Sequence, residues 1–146
     1  MLSVWTVLST LTVIPAVGQV PPADRGPPFD RSTLVGVYTA AQAAQGQDRY
    51  ALMCQGCHTP ASHTGPTFLS AWTGRALWEL FGYLMVSMPN SEPGILTPDE
   101  CAELVAYLLK LNGLPPGQAR LPTDSVSLKA IRFDTEALQV KETDER

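Results

Sequence analysis

Met53-Cys54-Gln55-Gly56-Cys57-His58 reads MCQGCH, in a chain of 146 residues with one other cysteine, Cys101. Three chemistries use a Cys-x-x-Cys pair: a redox disulfide, half of a zinc site, or, when histidine follows the second cysteine directly, covalent attachment of haem c. The residues around the motif decide among them, and the fold follows from that decision.

Upstream, Thr39-Ala40-Ala41-Gln42 fits a capping box, in which the threonine hydroxyl accepts from the N3 amide and glutamine reaches back to the N-cap. A helix should therefore begin near Thr39. Along it Ala43, Gly46, Tyr50, Cys54 and Cys57 recur at spacings of three and four, so the inner stripe leads into the motif. Gly46 is the odd member, because glycine inside a helix costs roughly 1 kcal/mol against alanine. It marks a flat spot where a second helix backbone can cross closely. Downstream, Thr97-Pro98-Asp99-Glu100 combines an N-cap threonine, proline at the first helical position and acids in the first turn. Cys101, Leu104, Val105 and Leu108 then form an apolar stripe with Tyr107 beside it, closed by Asn112-Gly113 and Pro115. This is the candidate for the helix that crosses at Gly46, with Leu104 and Tyr107 packing round the gap and against Tyr50. Between the two, from Gly74 to Val86, Leu77, Leu80, Phe81 and Leu84 make a third stripe. No run of β-branched residues alternates with polar ones, so the fold class is all-α. Three short helices bury little apolar surface, and something else should complete the core.

A zinc site needs four ligands, and after Cys54 and Cys57 the chain offers only His58, His63 and Cys101, the last on the apolar stripe of a capped helix. A thioredoxin-type pair sits after a strand at a helix N-terminus, where the thiol is acidified; this pair follows a helix. Haem attachment uses both cysteines and the histidine of the motif: each thiol adds to one vinyl group, and His58 is placed to bind the iron. Haem would also supply the missing apolar core.

With these residues in hand, the stretch from Gly36 to Gly117 resembles the class I cytochromes c, most closely the small bacterial periplasmic ones that serve dehydrogenases. The resemblance rests on GVYTAAQAAQGQDRYALMCQGCH, on Gly65-Pro66, on Ser87-Met88-Pro89 and on LTPDECAELVAYLLKLNGLPPG. It implies three main helices around one covalent haem, with Gly46 and Tyr50 of the first crossing Leu104 and Tyr107 of the last. It implies an axial methionine in a Met-Pro pair, which points to Met88 rather than Met85 or His63, and His/Met ligation raises the reduction potential. Met53, next to Cys54, falls on the wrong side, and His63 is expected to be an exposed loop histidine. The carbonyl of Pro66 is implied as the acceptor for the free ring nitrogen of His58, and Trp72 and Arg75 as partners of the haem propionates. The segment between His58 and Met88 is shorter than in the longer members of the family, which would leave the haem edge near the surface. Cys101, on an inward stripe, is expected to be a buried, inert thiol.

The first twenty residues carry no charged side chain and run largely apolar from Leu2 to Ile14, then break at Pro15 before Ala16-Val17-Gly18. The pattern is that of a secretory signal cut after Gly18, although no basic residue precedes the apolar run. It is short and Ser/Thr-rich for a bilayer span, so no stable membrane span is expected after cleavage. Residues 19–33 hold four prolines and no apolar periodicity and should form an extended leader. The domain should occupy 34–117 and an extended tail 118–146, in which Val126 to Phe133 is a short apolar patch that would wrap the domain or dock a partner. A net charge of −4 with no basic cluster argues against nucleic acid. The resemblance implies a periplasmic electron carrier rather than an enzyme. Its donor would be a periplasmic dehydrogenase, a quinoprotein or a molybdenum enzyme, and its acceptor an oxidase or another cytochrome. The competing readings are a haem subunit fixed on a dehydrogenase complex and a haem protein with an open distal site for small ligands.

Overall fold

The computed structural model describes residues 29–135. The expected export signal, most of the leader and residues 136–146 lie outside them. The elements run β1 (Arg31–Ser32), a 3₁₀ turn (Thr33–Val35), α1 (Ala40–Met53), a second 3₁₀ turn (Pro60–His63), α2 (Gly65–Trp72), α3 (Leu77–Ser87), α4 (Pro98–Leu111), α5 (Ser125–Lys129) and β2 (Ile131–Arg132). The architecture is mostly helical and compatible with a cytochrome c fold.

Local signals set the two long helices. Thr39 caps α1 by accepting from the Gln42 amide at 3.1 Å, while at α4 both halves of the capping box form, Glu100 accepting from the Thr97 amide at 2.8 Å. The helices cross at Gly46, where an added Cβ would lie 1.8 Å from the Glu103 carbonyl oxygen and 3.0 Å from Cβ of Tyr107. Only glycine lets the two backbones approach so closely. The Tyr50 and Tyr107 rings pack beside the crossing at 5.3 Å, and Arg49 bridges it on the outside, pairing with Glu100 at 2.6 Å and Glu103 at 3.0 Å. Cys101 is fully buried on the inner face of α4, donating its thiol to the Phe81 carbonyl at 3.3 Å. Burial pushes that thiol up to about 12.

Two helices were not anticipated from the sequence. α2 opens with Gly65-Pro66 at its first turn, where proline starts a helix rather than a turn. α5 is a short helix capped by Asp124, whose side chain accepts from the Ser127 amide at 2.8 Å. α5 belongs to the larger correction: residues 118–135 are not an extended tail. Leu121, Leu128, Ile131 and Phe133 are buried in the one core, and β2 pairs in parallel with β1, Arg31 against Ile131 and Ser32 against Arg132. The described end of the leader is equally built in, since Thr33 is buried and exchanges two hydrogen bonds with the Asp134 backbone at 2.8 and 2.9 Å. The apolar patch Val126 to Phe133 thus wraps the domain: its inward side chains fill the space that three helices leave open, and Val126 faces out.

Candidate functional site

The turn after α1 builds the first part of the site. The Cys54 amide donates to Tyr50 at 2.9 Å, and the amides of Cys57 and His58 donate back to the Cys54 carbonyl at 3.1 and 2.9 Å. This winds the motif tightly, so that Cys54, Cys57 and His58 line the rim of one cavity of about 300 Å³. Its walls come from everywhere in the core: Phe68 of α2, Leu80 and Leu84 of α3, and Leu104 and Leu108 of α4. Met88 caps the C-terminus of α3 and lines the same cavity, as does Trp72 at the end of α2. Both cysteines are free thiols, Cys54 half-buried and Cys57 exposed. Burial raises the Cys54 thiol above its ordinary value.

Of the methionines, Met53 also lines the cavity, whereas Met85 packs against the core outside it. Trp72 is held between Phe68 and Tyr83, with the Arg75 guanidinium 5.1 Å from its ring centroid. Arg75 is in turn paired with Glu79, at 2.6 Å from its Nε.

Two residues stand elsewhere than expected. Pro66 is exposed at the start of α2, outside the cavity lining, and makes no hydrogen bond to His58 among the described residues. In an α-helix a carbonyl so placed accepts from the amide four residues on, which takes it away from a neighbouring ring. His63 is not an exposed loop histidine: it is half-buried in the cavity wall, its ring 4.9 Å from that of His58 and its Nδ1 hydrogen-bonded to the Tyr50 hydroxyl at 2.9 Å. Burial, and then the nearby His58, lower its pKa from the ordinary histidine value. Tyr83, Asn90, Ser91 and Leu96 also line the cavity and carry no sequence signal of their own.

The donor set fits a c-type haem. Two free thiols and an imidazole stand on the rim of a largely apolar cavity with a thioether in its lining, and among the described residues no group of three or more His, Cys, Asp or Glu side chains is placed to hold a bare metal ion. Residues 41–108 match the family model described as cytochrome c oxidase, cbb3-type, subunit III. Neither a curated protein nor a solved structure matches the chain. The matched residues run from the first turn of α1 to Leu108 of α4 and enclose the motif, α2, α3 and Met88. The match is to a domain of the cytochrome c family, is consistent with a class I cytochrome c, and suggests that this cavity binds haem c.

Proposed function

We propose that the protein is an exported monohaem c-type cytochrome that carries single electrons from a periplasmic dehydrogenase to an oxidase or another cytochrome. The observation that carries this reading is the convergence of Cys54, Cys57, His58 and Met88 on one apolar cavity. Haem, when bound, supplies a one-electron iron couple. Cys54 and Cys57 would hold it through thioethers, and His58 and Met88 would be its nitrogen and sulfur ligands. The leucine and phenylalanine walls keep water from the ligands and so stabilise the less charged, reduced state. Trp72 with Arg75 offers an N–H and a guanidinium to the propionates. Export agrees with the way cytochrome c domains are typically used, and no helix among the described residues is long and apolar enough to cross a membrane.

A second reading is a haem subunit held permanently on an oxidoreductase complex. It is favoured by the description of the matching family, which is that of an oxidase subunit. Migration as a free monomer in the native extract supports the shuttle, and co-migration with a large complex the fixed subunit.

The test of the site is a visible spectrum of protein matured in a periplasm that attaches c-type haem, recorded oxidised, reduced and reduced under carbon monoxide. Expected is covalent haem with a weak far-red methionine band and no carbon monoxide shift, both altered in Met88→Ala. A carbon monoxide shift in the wild type replaces the carrier with a ligand-binding haem protein, and absence of covalent haem overturns both.

A further inference from the structure

One residue of the cavity wall has no part in the proposed holding of haem, yet it is held by hydrogen bonds from both its side chain and its backbone. The Nδ1 of His63 is bonded to the Tyr50 hydroxyl at 2.9 Å, and its ring meets Tyr50 and Phe68 edge to face, at 5.7 Å and 88° and at 5.9 Å and 85°. Its backbone carbonyl accepts from Nδ2 of Asn112, the C-cap of α4, at 2.9 Å. Tyr50 and Phe68 are themselves buried, and Tyr50 packs on Tyr107 beside the α1–α4 crossing. His63 therefore takes its place from residues packed beside the α1–α4 crossing.

His58 has no such support. Among the described residues its side chain makes no hydrogen bond, to Pro66 or to any other residue, and its one aromatic neighbour is His63, at 4.9 Å and an interplanar angle of 65°. An iron-bound imidazole can turn about its metal–nitrogen bond unless something outside the ligand set fixes its plane, and such outer partners tune the site. We infer that His63, locked by Tyr50 and Asn112, is a positioning residue that sets the plane of the His58 imidazole through ring contact. This rests on the haem reading above. The contact is one of shape, a fixed ring edge limiting rotation, so a ring of similar size should serve in place of the histidine.

The plane of the axial imidazole governs how unpaired spin is shared over the macrocycle in the ferric state, and hence the pattern of shifted haem methyl proton resonances. The experiment compares those resonances in the matured ferric wild type, His63→Ala, His63→Phe and Tyr50→Phe, with the far-red methionine band as a control on Met88. Expected is a reordered methyl pattern in His63→Ala with the band retained, a pattern near wild type in His63→Phe, and a smaller displacement in Tyr50→Phe, where the ring loses its tether. An unchanged pattern in His63→Ala overturns the inference, and so does a His63→Phe pattern displaced as far as that of alanine. Should His63→Ala fail to mature, Tyr50→Phe decides, and an unmoved pattern there is a refutation. A wild type without covalent haem defeats the electron-carrier reading itself, which is a different result from a haem-loaded wild type indifferent to His63.

Discussion

Where α1 crosses α4, backbone lies against backbone, and the contact depends on what is missing: a Cβ at Gly46. The strap formed by residues 118–135 closes the other side of the core by the opposite means, through side chains that reach far along the sequence. Gln42 is its clearest fastening. Its amide donates to the Leu121 carbonyl at 3.3 Å and accepts from the Leu121 amide at 2.7 Å, all buried. Phe133 is pinned next to α3, where its amide donates to Arg75 at 2.9 Å and its carbonyl accepts from Gly74 at 2.8 Å, and its ring stands 6.3 Å from that of Phe68 in the cavity wall. The crossing is thus specified by periodicity within each helix, and the strap by individual pairs between distant segments. Helical stability comes mainly from such tertiary packing rather than from propensity, so both are needed, but they should fail differently.

The largest effect is expected from Phe133→Ala. Truncating a fully buried phenylalanine costs about 4 kcal/mol, read as a lower urea midpoint of the matured protein, and a loss below about 1 kcal/mol would show that the strap is not part of the core. Gly46→Ala should come next, at about 3 kcal/mol, because the new methyl meets a backbone carbonyl that cannot swing aside. A neutral outcome would mean that the helices are not in backbone contact. Gln42→Ala sharpens the contrast, since Gln42 sits on α1 but serves the strap. Leaving the Leu121 amide and carbonyl unpaired costs about 2 kcal/mol. The Leu121 amide should then exchange with solvent faster while those of α4 keep their protection. Loss of protection in both would make the strap and the crossing one cooperative unit.

The same contrast explains what could be read from the sequence. The Thr39 and Thr97 caps, the inward Ala43, Gly46 and Tyr50 and the flat spot at Gly46 are patterns inside one helix and stand where the spacing placed them, whereas the stripe does not continue to Cys57, because α1 ends at Met53 and Cys57 is exposed in the turn beyond it. Gln42 was legible only in part: its amide does cap at Thr39, but its side chain goes to Leu121 instead of back to the N-cap. Nothing in either residue's surroundings announces that pairing. Leu128, Ile131 and Phe133 showed as an apolar patch, without a sign of what they cover. In the site, the motif and Met88 stood out by spacing and by the Met-Pro pair. His63 did not, because its burial depends on Tyr50, Phe68 and Asn112, which come from three different helices or their ends. The role of Pro66 came from the family resemblance alone, and nothing in the residues themselves showed that Gly65-Pro66 opens a helix, although proline is at home in the first turn of one.

The β1–β2 ladder has a mechanical consequence. The strands run parallel, joining Arg31 and Ser32 to Ile131 and Arg132, and are flanked by the Asp30 amide on Ala130 and the Thr33 hydroxyl on Asp134. The chain enters the start of one strand and leaves from the end of the other, so tension applied across residues 29 and 135 would slide the strands along each other. The flanking bonds would then be loaded together in shear rather than one after another as in a zipper. A domain hung between two anchors by these ends would meet the pull first at this seam, before any force reached the helices around the cavity.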